Sequence, residues 1–511
     1  MSLTKVSLAM VSEGFYSAVD YGADPTGATD STSAIQAALN ASTNADGMGT
    51  VVLTQGVYKI TAPIEIKRLK SLVGIGSVEI QADFASWTGD NVAIKVVIDD
   101  VATALDVFRS MNRSIENIRI KGLNNTGLVS TAMKFYTSQS ISPSVAVNYS
   151  YILSNVNKVW VSQFDTAFDL LECWNTTFTN CRSVRTRRGV VIEGKSVNVF
   201  FIGCSFTNLT SDYTSSSALK FGVTIDSGFH YAAGAEGRPE GINFQSCLIF
   251  DGDENFAIER GYQITISDCI IDGAVQDCIG ITDPTAVFIT NNYIFTGGSG
   301  YAGVKFKGTG TSDDRVVNIV GNQFTGTSAG YGIDFVNSGS VRKGLTIESN
   351  KFDTWDTAIR CLIGMNYSTI TGNFGKSIST RFIYMENEGL GTVIDKNTCS
   401  DSVPVLTLHP NVNANLKIGD NQSPTSKTYF RGYATLLSGA TTVTLANAFN
   451  TSELYYRAIT TVQPPTGSVG LYTVTPENPS WNNALLTVGS APGTNVKVYY
   501  EAIAVPYSAT V

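Results

Sequence analysis

The sequence predicts an all-β chain built around a parallel β-helix (a solenoid) with an N-terminal capping helix and a C-terminal antiparallel β-sandwich-like domain. Three observations carry this: a recurring strand-then-hinge unit, a helix-bearing opening, and a change of pattern near the C-terminus. The recurring unit ends in VFFIGC at Cys204, INFQSC at Cys247, ITISDC at Cys269, VFITNN at Asn292 and VNIVGN at Asn322. It continues with LTIESN at Asn350, STITGN at Asn373, TVIDKN at Asn397 and LKIGDN at Asn421. Apolar residues stand three and usually five positions before the hinge: Val199/Phe201, Ile242/Phe244, Ile264/Ile266, Val287/Ile289, Val317/Ile319 and Leu345/Ile347. Alternation with period two is a strand with one buried face. The hinges recur every 22–30 residues, with one 43-residue gap before Cys247. Strand-bearing repeats in the twenties are the mark of a β-solenoid. The hinge Asn is expected to take up αL geometry and to bond backbone from coil to coil.

The opening, Tyr16-Ser-Ala-Val-Asp-Tyr-Gly-Ala-Asp-Pro-Thr-Gly-Ala-Thr-Asp30, reads as a short strand and a Gly/Pro/Asp turn. Asp30 or Ser31 then caps a helix whose apolar face is Ala34, Ile35, Ala38 and Leu39. The run from Gly49 to Thr61 reads as strand, Gly turn, strand. An amphipathic helix here covers the first coil, because an open solenoid end exposes strand edges and core. After Asn421 the pattern becomes short alternating strands between Gly and Thr turns, as in VGLYTVTPENPSWNNALLTVG and NVKVYYEAIAVPYSATV. The expected organisation is a short leader at 1–14, a capped β-helix at 15–425, and a β-rich domain at 426–511 for trimerisation or carbohydrate binding.

The run YSAVDYGADPTGATDSTSAIQAALNAS…GTVVLTQGVYKIT resembles the start of the pectate-lyase-like superfamily, where it opens a right-handed β-helix. The resemblance spans roughly residues 15–425, and Pro25-Thr26 stands where many relatives carry Asp. The same opening precedes lyases, hydrolases and phage tailspikes, so it implies a fold more than a chemistry. Tailspikes of this architecture are homotrimers with saccharide grooves on each β-helix or between helices.

Composition excludes several classes. A net charge of −8 and a pI near 5.0 argue against a nucleic-acid partner, which needs clustered Lys and Arg. The first fifteen residues lack the apolar core of a signal peptide, and no stretch reaches the ~20 apolar residues of a membrane span. Of eight cysteines, Cys181, Cys204, Cys247 and Cys269 fall at the hinge position and no CxxC pair occurs. Reduced core thiols are expected, with no metal and no cofactor. A serine esterase is not supported, for there is no GxSxG and His409 is Pro-flanked. The Gly297–Gly303 run is a turn and no nucleotide fingerprint.

Chemistry is sought on the second strand of each coil. Its outward residues Glu193, Lys220, Glu259, Thr282, Lys305, Asp334, Arg360 and Tyr384 are expected to form one column, since coils are about 4.8 Å apart. Mixed acids, bases and aromatic rings suit a polysaccharide groove. The most acidic stretch runs from Asp251 to Glu259, with Asp268, Asp272, Asp277 and Asp283 following. Before it lies an insertion, 226–240, carrying His230, Tyr231, Arg238 and Glu240. Loops of this length are often functional.

Hydrolysis of a glycoside needs an acid and a base carboxylate about 6.5–9.5 Å apart for inversion or 5–5.5 Å for retention. Glu259 with Asp253 or Asp283, and Glu240 in reserve, are the catalytic candidates. Crowding among these carboxylates is expected to keep Glu259 protonated as the acid. The substrate-binding candidates are Glu193, Lys220, His230, Tyr231, Arg238, Lys305, Asp334, Arg360 and Tyr384. A lyase would draw its base from Lys220, His230 or Arg238, and a calcium-assisted one would use Asp251, Asp253 and Glu254 as ligands.

These readings converge on a phage tailspike depolymerase that hydrolyses a bacterial capsule or O-antigen. It would be made in the host cytoplasm, carried on the virion tail through its N-terminus, and trimeric, since three long solenoids bury their broad sides under closed symmetry. A polysaccharide lyase and a non-catalytic receptor-binding fibre or adhesin are the alternatives.

Overall fold

The computed structural model describes residues 15–42, 49–67, 70–97, 113–136, 154–171, 173–194, 196–213, 218–226, 238–308, 316–336, 342–387, 389–408 and 416–424. Beyond these it describes the backbone of strands at 429–436, 442–446, 454–462, 472–476, 483–488 and 496–506. Two compact units are present, Met1–Gly297 and Gly298–Val511. Both carry coils of parallel strands, and the fold class is a right-handed parallel β-helix with an N-terminal cap.

The cap is built around Asp24. Its carboxylate accepts the Thr26 N–H at 2.9 Å and hydroxyl at 2.6 Å, and the Thr29 N–H at 2.8 Å and hydroxyl at 2.9 Å. These bonds, those from Thr26 foremost, hold Asp24 well below the usual carboxylate range. Thr26 thus closes the turn through both its N–H and its hydroxyl. The helix Thr32–Ala41 follows and buries Ala34, Ile35, Ala38 and Leu39. Its first N–H is bonded by Asp30 at 3.1 Å, whereas Ser31 makes no helix cap. The Ser31 hydroxyl instead accepts the Asp24 N–H at 2.9 Å.

In the first unit, apolar residues stack rung on rung. Val199 faces Ile242 and Phe201 faces Phe244, which in turn faces Ile266 and then Ile289. The rings of Phe178, Phe201 and Phe244 stack at 4.7 and 4.6 Å, close to the strand spacing. The second unit repeats this with Phe306 on Phe335 at 4.4 Å and Phe324 on Phe352 at 4.9 Å. It also contains two antiparallel three-stranded sheets. In one, Val496–Pro506 lies between Tyr429–Leu436 and Leu454–Val462; in the other, Asn483–Val488 lies between Thr442–Ala446 and Tyr472–Pro476.

The hinge differs from expectation by one residue. The left-handed position is the one before the ladder residue: Asn180, Gly203, Ser246, Asp268 and Asn291 in the first unit, with φ between 53° and 62°. In the second unit it is Gly321, Ser349, Gly372 and Lys396. The bend at that residue turns the ladder side chain into the core, where it donates to a carbonyl one coil back. Cys181, Cys204, Cys247 and Cys269 donate through Sγ to the carbonyls of Val156, Phe178, Phe201 and Phe244 at 3.3–3.6 Å. Asn350, Asn373, Asn397 and Asn421 do so through Nδ2 to Ile319, Ile347, Ile370 and Ile394 at 2.8–3.0 Å. Their Oδ1 atoms accept the preceding Asn Nδ2–H at 2.7–3.0 Å, along Asn322–Asn350–Asn373–Asn397–Asn421.

All eight cysteines are unpaired and buried. Burial pushes the Cys173 thiol up to about 12, so it stays protonated. Among the described residues no helix is long and apolar enough to cross a membrane.

Removing one ladder rung orphans buried donors on its neighbour. Asn373→Ala strips the acceptor from both the N–H and the Nδ2–H of Asn350, at 3.0 Å each. A loss of about 2–6 kcal/mol is expected, at 1–3 kcal/mol per orphaned group, read as a lower denaturant midpoint.

Candidate functional site

Carboxylates gather in the first unit at one end of the strands Arg182–Glu193, Phe221–Ile225 and Glu254–Gly261. Ile192, Ile225, Ile258 and Ile281 are register partners, all buried. The next position on each rung is outward, which puts Glu193, Asp226, Glu259 and Thr282 in one column. Adjacent rungs are about 4.8 Å apart, so Glu193 and Glu259 stand roughly 9.6 Å apart by backbone. Glu259 is exposed, and Glu193 is half-buried. Burial, and then the negative charge of Asp169, raise Glu193 above its ordinary value, with Asp226 adding to the rise. Arg188 and Lys134 oppose it. Asp169 is itself paired with Lys134 at 3.1 Å.

The insertion returns beside this column. Arg238 donates to the Thr285 hydroxyl at 3.0 Å, and exposed Glu240 bridges to Tyr262, three residues past Glu259. The backbone of Asp283 pairs with Arg260 on the preceding rung, and its side chain lies outside the described residues. His230 and Tyr231 lie outside the described residues, as does His409.

Two candidates stand elsewhere. Lys220 precedes Phe221, at the far end of its strand, roughly 20 Å along the chain from Asp226 at 3.3 Å per residue. Asp253 precedes Glu254, at the opposite end of that strand from Glu259. The Asp253 carboxylate accepts the Lys220 N–H at 2.7 Å and fixes that corner. Asp251 has φ 68° and forms the bend itself, while Asn255 accepts the Gly252 N–H at 3.0 Å. The acidic run is a coil corner. Among the described residues no group of three His, Cys, Asp or Glu side chains is arranged to hold a metal ion.

In the second unit, Lys305, Asp334, Arg360, Tyr384 and Thr407 are register partners on successive rungs. This column is largely closed to substrate. Asp334, expected at the surface, is fully buried and bonded twice by Arg360, at 2.8 and 2.8 Å. Arg360 in turn lies 3.5 Å over the Tyr331 ring. Burial works against the Arg360 charge, but Asp334 more than offsets it and raises the guanidinium's affinity for its proton. Tyr384, expected to stack on sugar, is 4% exposed with Arg381 4.4 Å over its ring. The packed rings and guanidinium groups displace water that outward positions were expected to meet.

One site escaped the sequence reading. A groove of about 390 Å³ is lined by Gly76, Val78, Asn117, Arg119, Lys158, Trp160, Asn180 and Arg182, among others. Arg119, Trp160 and Arg182 are partners on three successive rungs. Only Arg182 and Asn180 lie within a hinge unit legible as a repeat, so no sequence signal joined the three.

Comparison with known proteins now bears on the opening. Residues 15–149 match the family model described as rhamnogalacturonase A/epimerase, pectate lyase-like. The N-terminal segment is similar to that family. It supplies residues 76–78 and 117–119 of the groove. Among solved structures, the chain is similar to a mutant tailspike protein of E. coli bacteriophage HK620 in complex with a pentasaccharide. That match has 12% identity, 96% coverage of this chain, 93% of that one and a TM-score of 0.53. It is also similar to a surface adhesin of Streptococcus pneumoniae (15% identity, 80% and 92% covered, TM-score 0.47). A third is the catalytic unit of an α-1,3-glucanase from Streptomyces thermodiastaticus (15%, 80% and 69%, 0.45). At such identities the likeness to the tailspike is one of fold. No curated protein matches by sequence.

Arg360→Met leaves the Asp334 carboxylate buried and unpaired. A loss of about 3–5 kcal/mol is expected in denaturant unfolding, and Asp334→Leu in the same chain should restore most of it.

Proposed function

We propose that this protein is a tailspike-type depolymerase that binds and hydrolyses a bacterial surface polysaccharide, capsule or O-antigen, as a homotrimer on a phage tail. The reading places a β-helix at 15–425 and a trimerising or sugar-binding domain at 426–511. The carrying observation is the column Glu193–Asp226–Glu259, where the insertion's return adds Arg238 and Glu240. The full-length fold likeness to a tailspike crystallised with a pentasaccharide supports it.

Glu193 is the general acid. Its half-buried carboxyl, beside Asp169 and Asp226, holds its proton more tightly than an ordinary glutamate. It donates that proton to the leaving glycosidic oxygen. Glu259, exposed two rungs away, takes a proton from water as that water attacks the anomeric carbon from the opposite face. A backbone spacing of roughly 9.6 Å lies at the upper end of the range for inversion. Glu240 and Arg238 bond sugar hydroxyls, and Asp283 is the alternative base.

Incubation with purified capsules and O-antigens is expected to release reducing ends and oligosaccharides without the absorbance of an unsaturated uronate. Absorbing products would transfer the reaction to β-elimination, and intact polymer with retained binding would leave a receptor-binding fibre. Glu259→Gln should lower kcat about 10²–10⁴-fold with saccharide binding retained. Activity near the unsubstituted level would move the base to Asp283 or Glu240.

Glu193→Gln should lose activity by a similar factor yet melt at the same or a higher temperature at neutral pH. A raised folded-state pKa contributes stability that is complete below about 4.5 and fades as pH rises through the folded value. Removing the charge therefore helps at pH 7 and changes nothing at pH 4. Thermal melts of the two proteins at both pH values check it.

A further inference from the structure

The groove at Trp160 is chemically unlike the carboxylate column. Three successive coils each supply a left-handed corner residue and the residue two further on: Asn117 and Arg119, Lys158 and Trp160, Asn180 and Arg182. The residues between them, Ile118, Val159 and Cys181, are buried and anchor each corner to the core. Trp160 therefore sits between two arginines, with their Cζ atoms 4.7 Å (Arg119) and 5.9 Å (Arg182) from its ring centroid. These contacts hold long side chains beside the indole. No carboxylate lines the groove. Among the described residues, Arg119, Lys158 and Arg182 have no ion-pair partner, although the chain carries a net charge of −8. Arg119 and Arg182 stand two rungs apart, roughly 9.6 Å by backbone, with Trp160 on the rung between them and Glu79 as the register partner of Arg119 on its other side.

We propose that this groove binds an acidic sugar unit of the polysaccharide, its carboxylate bonded by the exposed Arg119 and Arg182 guanidinium groups and its ring against the edge of the Trp160 indole that they flank. The volume, about 390 Å³, is that of a small-ligand pocket. A guanidinium fork bonds a carboxylate with two parallel charge-assisted hydrogen bonds, roughly twice as strong as those it makes to the hydroxyls of a neutral sugar. Asn117 and Asn180 supply amide partners for hydroxyls. Beyond Arg182 the column continues through Ser205, Leu248, Ile270 and Tyr293, a track of mostly apolar and aromatic side chains suited to sugar faces. The proposal rests on the polysaccharide reading and narrows it to a polymer containing uronate or an equivalent acidic sugar.

Calorimetry and affinity electrophoresis with oligogalacturonate and a purified uronate-containing capsule test it. Dextran, poly-glutamate and oligothymidylate serve as the neutral, peptide and nucleic-acid comparisons. Salt-sensitive binding of an acidic glycan is expected, weakened roughly tenfold or more by Arg119→Gln and by Arg182→Gln. Both side chains are exposed, so these variants keep the core. Trp160→Phe should weaken binding less than Trp160→Ala. Absence of binding to either acidic glycan, or binding unchanged in both arginine variants, overturns the proposal. So does equal affinity for poly-glutamate or oligothymidylate. Cleavage is read separately. Arginine-dependent binding without cleavage of any polymer keeps the groove and removes the depolymerase. Cleavage with an unchanged KM in both variants removes the groove and keeps the depolymerase.

Discussion

From Cys181 onward the coils turn on one buried hydrogen bond: the ladder side chain donates to a main-chain carbonyl one coil back. A Cys thiol does this at Cys181, Cys204, Cys247 and Cys269, and an Asn amide at Asn350, Asn373, Asn397 and Asn421. Asn does more, because its Oδ1 also receives the preceding coil's N–H and Nδ2–H. Every polar atom of the ladder is thereby satisfied inside a dry core, where an orphan would cost 1–3 kcal/mol. The bond also sets the register. Once the corner is fixed, apolar residues before it must stack on their counterparts, and outward residues after it must fall into columns.

That constraint explains why functional groups far apart in sequence stand side by side. Glu193, Asp226 and Glu259 are each one residue past a core isoleucine, and the rung spacing of about 4.8 Å does the rest. Asn117, Lys158 and Asn180 are corner residues whose companions two positions on, Arg119, Trp160 and Arg182, build the cationic groove. A solenoid needs no long-range docking to assemble either site. Insertions enter between rungs at no cost to the register, as the 43-residue gap before Cys247 shows.

The two sites have opposite electrostatics, and that division is useful. Burial and the neighbouring Asp169 raise Glu193 above its ordinary value, the direction that acid catalysis requires. The column's charges would repel an acidic sugar. The cationic groove on other coils, in the proposed reading, would bind such a polymer outside the carboxylate field, and binding energy collected there could be spent on positioning at the reacting bond. The Asp334–Arg360–Tyr331 cluster uses the same residue types differently, pairing them so completely that they seal the sheet.

The sequence by itself determined the solenoid, its cap and the change to antiparallel strands, because period-two alternation and a repeat in the twenties are local and survive reading in one dimension. It also placed Lys305, Asp334, Arg360 and Tyr384 on successive rungs, since each lies at a similar offset from its hinge. It misplaced the bend by one residue, since αL geometry belongs to the residue whose side chain leaves the core and the ladder Asn is the one that enters it. Tertiary structure alone decided which outward residues stay open. Asp334 and Tyr384 alternate as surface positions do, yet neighbouring arginines cover them. It separated Asp253 and Lys220 from Glu259, because they stand at the opposite end of the strands from that column. It also brought Arg119, Trp160 and Arg182 together, through a register that spacings interrupted by insertions conceal.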